Sequence, residues 1–407
     1  MTFGPTLSRL SKTYVNISFA FTAPKFGILL AKSYLCRNAS KMNIFWILTL
    51  LLLPVLGVSY VLWHVWVILP VGVVWRTVIT GLGLLCFLTL FLDFAGQLEH
   101  LPMPMARLLY NIGTSTLIVI FYLAMIFIAL DLGRLLHLVP RNWLYNNWTT
   151  TVCIGFVMLA TFVYGRIHYN NKVRVALELQ STKPLPRDYK VLMASDLHLG
   201  YHNDRKELAR WVDIMNSEQP DLILIAGDII DVSIRPLIEE DMASEFRRLK
   251  APVYACLGNH EYYSGAPQAA RFYKESGIHL LVDKEAEALP GLVVIGRNDR
   301  IYRRRATLAE LSRLADRNKY TILLDHQPFN LAESEQAGFD FQLSGHTHYG
   351  QVWPLSWITK LMYECAWGSH QRGRTHYYVS SGLGIWGGRF RIGTQSEYVI
   401  ATIHTCE

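Results

Sequence analysis

Apolar positions are unevenly distributed along the chain, and the unevenness divides it. Four apolar stretches, at about 43–66, 77–92, 108–130 and 149–164, approach the roughly 18–20 residues that cross a bilayer. The second and fourth are short and extend into neighbouring residues. Trp63, Trp66, Trp75, Trp143, Tyr145 and Trp148 cluster at their ends, where amphipathic rings prefer the membrane interface. From residue 173 the pattern changes. Alternation over 173–179 predicts an opening strand, and short β-rich runs at 191–194, 222–226, 253–257, 321–324 and 341–343 follow. Helical spacing predicts helices between them at about 205–216, 239–249, 267–276 and 308–316. Strands alternating with helices argue for an α/β domain behind an all-α membrane region of four helices.

Charge follows the same division. Before Arg166 the only acidic residues are Asp93, Glu99 and Asp131, against ten Lys and Arg, and this surplus accounts for the whole net charge of +7. The remainder is balanced, with 29 acidic and 29 basic residues out of totals of 32 and 39. A basic chain ordinarily suggests nucleic acid. Here the half that carries candidate chemistry is neutral, so no nucleic-acid partner is expected. Scarce acidic residues over the first part favour membrane spans over a buried soluble bundle. The six cysteines (36, 86, 153, 256, 365 and 406) form no C-x-x-C pair and read as free thiols in a reducing compartment.

With the N-terminus inside, ten basic residues between Arg9 and Arg174 flank the cytoplasmic side, against Arg76, Arg134 and Arg141 outside. Residues 1–41 contain no acid and Met42 stands directly before the first span, so a basic leader or an over-read start is expected there. A start at Met42 leaves four cytoplasmic basic residues against three, a narrow margin. The expected organisation is a leader at 1–41, four transmembrane helices within 42–166, a polar connector at 167–187 and a catalytic domain at 188–407. The expected location is a multi-pass protein of the cell inner membrane, catalytic domain in the cytoplasm.

Five short blocks each end a predicted strand: Asp196-Leu197-His198, Gly227-Asp228, Gly258-Asn259-His260-Glu261, His326, and Gly345-His346-Thr347-His348. Polar residues at the carboxyl ends of buried strands converge on one edge of a sheet. Carboxylate, imidazole and one amide oxygen, without a thiolate, suit Mn, Fe or Zn. A carboxylate bridges two ions, and water held between two such cations ionises near neutral pH and attacks phosphorus. Glycines at 227, 258 and 345 are expected to let the backbone turn tightly between strand and ligand. No block is decisive alone; all five in this order point to a two-metal phosphoesterase.

Over roughly residues 188–405 the blocks resemble the calcineurin-like metallophosphoesterases, whose pattern is D-x-H, G-D, G-N-H-[DE], H, G-H-x-H. The resemblance implies a four-layer α/β/β/α sandwich with two packed sheets. It assigns Asp196, His198 and His348 to a first metal, Asn259, His326 and His346 to a second, and Asp228 to the bridge. His260 it makes a catalytic residue over the phosphate, not a ligand. Gly227-Asp228-Ile229-Ile230-Asp231 lacks the Arg of the Ser/Thr phosphatase pattern, which argues against a protein phosphatase. The chain looks instead like the membrane-associated branch, with Asp196-Leu197-His198-Leu199-Gly200, Ser344-Gly345-His346-Thr347-His348 and a 378–386 ending. That likeness implies a phosphodiesterase with two divalent ions, acting on a lipid-linked phosphate or nucleotide-sugar lipid at the bilayer. The alternatives are a tethered enzyme for soluble nucleotides and a non-catalytic membrane sensor, disfavoured because no ligand position is lost.

Around this set, Asp231 is expected as a helix N-cap in preference to a partner of a ligand, and Glu261 as a support for His260 or an exposed salt bridge. Arg389 and Arg391 are weaker candidates for the substrate phosphate, and Arg303, Arg304 and Arg305 for lipid headgroups. Tyr262 and Tyr263 are expected to line the pocket or to pack. His64, His100 and His137 are expected at the membrane interface.

Overall fold

The computed structural model describes residues 44–405, with side chains from Leu52 and then from Pro54 onward. The expected leader at 1–41, Met42, Cys36 and Cys406 lie outside the described residues. The apolar part forms helices α1 (Ile44–Ile68), α2 (Val73–Leu88), α3 (Met103–Leu135) and α4 (Trp148–Asn170), with short turns between. Among the described residues three helices are long and apolar enough to cross a membrane: Val73–Phe94, which joins α2 to the short helix after it, then Met103–Leu135 and Trp148–Asn170. The stretch Pro54–Ile68 of α1 is a shorter apolar helix. Val61, Ile68, Phe127 and Leu144 centre the packing among α1, α3 and α4. His64 is buried against α3, with Nε2 3.0 Å from Asp131 Oδ2, which also accepts from Tyr60 at 2.8 Å.

Helix α4 leads through Asn171 straight into strand β1 (Lys172–Gln180). The expected opening strand over 173–179 is β1, within the 167–187 segment; it pairs in parallel with the C-terminal strand over its whole length, Lys172 opposite Ser396 and Gln180 opposite His404. The other strands are β2 (Tyr189–Ala194), β3 (Leu222–Ala226), β4 (Val253–Cys256), β5 (His279–Leu280), β6 (Lys284–Leu289), β7 (Leu292–Gly296), β8 (Tyr320–Leu324), β9 (Phe341–Ser344), β10 (Gly368–Arg372), β11 (Thr375–Val379) and β12 (Ser396–His404). They form two six-stranded sheets, ordered β1-β12-β2-β3-β4-β5 and β10-β11-β9-β8-β7-β6. Each has a parallel centre, β2-β3-β4 in one and β7-β8-β9 in the other.

The parallel strands are apolar on both faces because both are covered. Val191, Met193, Leu222 and Leu224 point inward against Val294, Ile322 and Leu343 of the other sheet. Leu192, Ile223 and Ile225 point outward against helix α5 (Arg205–Ser217), through Leu208, Trp211 and Met215, and against α6 (Ala266–Glu275), through Phe272 and Tyr273. On the far side Val293, Ile295 and Leu323 meet Leu308 and Leu311. The result is the expected four-layer α/β/β/α sandwich behind an all-α apolar region.

Two expected helices are shorter than their periodicity suggests. The 239–249 helix is split into Arg235–Glu239 and Met242–Phe246, with Asp241 between them at φ +48. Glu240 is drawn out of the helical line to meet Arg107 of α3 and the Arg205 backbone N–H. The 308–316 helix stops at Leu311.

Trp211 is 1% exposed and wedged between α5 and the outer face of the first sheet. Trp211→Ala should destabilise the catalytic fold by about 3–5 kcal/mol. Thermal unfolding of the full-length protein in detergent checks this through a lowered Tm.

Candidate metal centre

The five blocks meet where the parallel strands of both sheets end. Asp196 and His198 follow β2, Asp228 follows β3 and Asn259 follows β4, while His326 follows β8 and His346 and His348 follow β9. Asp196, His198, Asp228, His346 and His348 all have φ between +46 and +72, the left-handed region that non-glycine residues avoid. Such backbone costs on the order of 1–3 kcal/mol per residue and persists where surrounding structure over-determines it. Here hydrogen bonds between loops do so. The N–H of Asp196 donates to Gly227 O at 3.1 Å, that of His198 to Asp228 O at 3.0 Å, and that of Gly345 to His326 O at 2.9 Å. The N–H of His346 donates to both oxygens of Asp196, at 3.0 and 3.1 Å, and that of His260 to Asp228 Oδ1 at 2.8 Å.

The glycines act differently from the expectation. Only Gly227 takes a positive φ, +78. At Gly258 and Gly345 the constraint is space, since a Cβ would fall on the carboxylates of Asp228 and Asp196 respectively.

Side chains gather in two clusters that could each hold an ion. One is Asp196, His198 and His348; the other is Asp228, His326 and His346; within each, the donor atoms lie within 4.8 Å of one another. Asp228 links them, its Oδ2 lying 3.0 Å from His326 Nε2 and 3.8 Å from His198 Nε2. The donor chemistry fits metal ions. His326 Nδ1 is spent on Ala226 O at 2.7 Å, so its Nε2 turns a lone pair on a carboxylate oxygen. His198 Nδ1 is engaged by Asp231 Oδ1 at 3.2 Å, which leaves its Nε2 toward His348 Nε2, 3.0 Å away. Asn259 Oδ1 is buried and has no hydrogen-bond partner. A shared cation would satisfy donor atoms of this kind brought together in the interior.

The titration behaviour agrees. Burial opposes charge on His198, but Asp196 and Asp231 push its pKa up to about 10. Burial opposes charge on His326 too, and Asp228 raises it well above the ordinary value. His346 and His348 are held down, chiefly by burial. The carboxylates thus favour positive charge at both clusters.

Asp231 is not a helix N-cap; Ile234 occupies that position in the next helix. Its fully buried carboxylate lies 3.2 Å from His198 Nδ1, 3.3 Å from His260 Nδ1 and 3.6 Å from His202 Nδ1. It also accepts from the Tyr110 hydroxyl at 2.6 Å. Tyr110 belongs to α3, so an apolar helix reaches the layer just behind the donors. Asp231, His198 and His260 could themselves hold an ion, but His198 gives only Nδ1 to Asp231 and turns Nε2 toward His348, so Asp231 is better read as what orients the rings.

Glu261 is not an exposed salt bridge. It is fully buried and ties two site loops together, accepting from the N–H groups of Asp228, Ile230 and Gly258 at 3.1, 3.1 and 2.7 Å and from the Tyr273 hydroxyl at 3.0 Å. Arg391 is unavailable to a substrate: fully buried, it donates to His348 O at 2.7 Å, Gly384 O at 3.1 Å and Ser396 Oγ at 3.2 Å. Arg305 is committed to Asp325 at 3.1 Å. Tyr262 packs, donating to Asn298 Oδ1 at 2.6 Å, while the Tyr263 ring stands 5.1 Å from that of His260. Tyr110 and Tyr169, whose hydroxyl meets Asn203 Oδ1 at 2.6 Å, were beyond sequence reasoning. A tyrosine in an apolar helix carries no local signal of a partner far along the chain.

Comparison with known proteins shows what the chain is similar to. Residues 189–350 match the family model described as calcineurin-like phosphoesterase. A metallophosphoesterase of Campylobacter jejuni is 31% identical over 61% of this chain and 69% of its own length. A Danio rerio transmembrane protein with metallophosphoesterase domain is 26% identical over 62% of each chain. Among solved structures, a 5'-nucleotidase precursor from Thermus thermophilus aligns with TM-score 0.34 and 15% identity, over 53% of this chain and 55% of that one.

Two substitutions test the supports. Asp231→Asn keeps the shape but loses the charge behind His198 and His260, and it should lower metal affinity or turnover about 10–100-fold. Gly345→Ala should lower metal occupancy at least as much, because its methyl displaces Asp196. Metal titration of the full-length variants measures both.

Proposed function

The chain belongs to the calcineurin-like metallophosphoesterases, metal-dependent hydrolases of phosphoric ester bonds, and from that premise we propose that it is a membrane-anchored phosphodiesterase with a dinuclear centre. The observation that carries the reading is the pair of buried donor clusters joined by Asp228. In this assignment Asp196, His198 and His348 would hold one divalent ion and Asn259, His326 and His346 the other, with Asp228 shared between them. The donor set suits Mn, Fe or Zn. When bound, the ions supply Lewis acidity to the phosphoryl oxygens and acidify the attacking water.

The protein's own residues do the rest. Asp231 holds the His260 ring through Nδ1, 3.3 Å away, which leaves Nε2 for the phosphate and the leaving oxygen. Water adds to phosphorus, the P–O bond to the leaving alcohol breaks, and His260 passes a proton to that oxygen while the second water proton goes to solvent. Burial of the donors keeps competing water out and strengthens each contact with the developing charge.

The substrate is a phosphodiester met at the bilayer, and the catalytic domain faces the cytoplasm. Support for the anchoring comes from three helices long and apolar enough to cross a membrane and from α4 running into β1. The charge asymmetry of the first part supports the orientation.

Purified full-length protein with Mn²⁺ should hydrolyse bis(p-nitrophenyl) phosphate, and Asp228→Asn should abolish turnover. Absence of turnover in the wild type with metal bound would contradict the assignment. His260→Ala should lower kcat by about 10²–10⁴ with the metal content unchanged, as expected for an acid outside the ligand set.

A further inference from the structure

We propose that the catalytic domain is itself seated in the near leaflet of the bilayer, through helix α7 (Leu355–Met362) and the turn before it, so that the metal centre opens at headgroup level and takes phosphodiesters of membrane amphiphiles. The substrate part rests on the phosphodiesterase reading; the seating stands on packing.

From β1 onward, among the described residues, the exposed large apolar side chains other than Ile238, Tyr302 and Leu314 all lie between Trp353 and Trp386. Most belong to α7 and its approach: Trp353, Trp357, Ile358, Leu361 and Met362, the exposure of Leu361 reaching 89%. Their spacing puts them on one face, with Ser356 buried behind. A contiguous apolar face of this kind marks a membrane or partner surface.

Continuity with the apolar helices selects the membrane. Behind α7, Val352, Leu355, Phe390 and Ile392 pack against Ile118, Tyr122, Met158 and Phe162 of α3 and α4. The Tyr122 hydroxyl donates to Trp353 O at 2.6 Å, and the Arg391 N–H to Gly165 O at 3.0 Å. Beside these contacts the outer face of α4 is bare, with Phe156 71% and Leu159 65% exposed.

Helix rise gives the depth. Met158 and Phe162 lie about 15 and 21 Å along α4 from its start at Trp148, at about 1.5 Å per residue. Tyr122 lies about 20 Å along α3 from its far end at Leu135 on the same rise. A hydrocarbon core of about 30 Å therefore contains the whole contact. A surface held at that level beside lipid-facing helices meets acyl chains, not water. Lys360, on the same helix, is folded back with its ammonium 5.5 Å from the Tyr349 ring, toward the polar side.

The metal centre is adjoining. His348, in one donor cluster, opens the single turn His348–Gly350 that leads to Trp353, and its carbonyl is held by Arg391. An amphiphile in the leaflet would have its phosphate at the donors and its chains along α7.

Two readouts on the full-length protein in phosphatidylcholine–phosphatidylglycerol nanodiscs separate seating from chemistry. A p-benzoylphenylalanine photoprobe at position 361 or 357 should give lipid adducts by mass spectrometry, and one at position 274 should not. Adducts to a second copy, or no lipid adduct at 361 and 357, would overturn the seating. Hexadecyl p-nitrophenyl phosphate should exceed ethyl p-nitrophenyl phosphate in kcat/KM at least tenfold. Leu361→Glu should remove that preference and leave bis(p-nitrophenyl) phosphate turnover unchanged. No chain-length preference, or one that survives Leu361→Glu, would overturn the amphiphile as substrate. Loss of turnover on all three esters in the wild type would instead sink the phosphodiesterase reading, with the adducts still reporting the seating.

Discussion

The crowding of buried carboxylates and imidazoles into one site is the constraint around which this molecule is arranged. Two carboxylates, four imidazoles and an amide oxygen are held at the ends of five strands, with nitrogen facing nitrogen at 3.0 Å and nitrogen facing carboxylate at 3.0 Å. Divalent cations would satisfy all of these donors at once. The left-handed backbone at five of these positions and the hydrogen bonds that lock one loop to the next keep the donors converged. Glu261 shows how much structure serves this end, since an entire buried carboxylate is given to the backbone of the Asp228 and Gly258 turns.

The apolar helices are part of the same construction and not only an anchor. Tyr110 fixes one oxygen of Asp231, whose other oxygen faces His198 and His260. Tyr169 engages Asn203, whose amide donates to the carbonyls of Leu197 and His198 at 3.0 and 3.1 Å. With α4 continuing into β1, little slack separates the apolar region from the sheet. Removing those helices would take away supports of the site, so an isolated catalytic domain should not be equated with the full chain.

What was legible in the sequence was whatever is local. Each donor block is a few contiguous residues at the end of an apolar run, so strand ends and block order could be read directly, while the division into two clusters came from the family resemblance. Strands 222–226 and 341–344 fall within a residue of expectation because continuous apolar runs leave little choice. The failures are long-range. Asp231 reads as a capping residue until His198, His260 and Tyr110 are brought to it. Arg391 reads as a phosphate ligand until its guanidinium is found enclosed by carbonyls. The 239–249 periodicity is genuine, yet Glu240 leaves the helix for Arg107 of α3. Helix α7 is eight residues long, too short for periodicity to announce it.

The central claim is that two ions, not one, compensate the buried donors. Metal analysis by mass spectrometry of full-length protein, purified without chelator and dialysed against Mn²⁺, counts them directly. The account predicts two transition-metal ions per chain. One ion or none in folded protein would contradict it, since one donor cluster would then hold its lone pairs together without a cation.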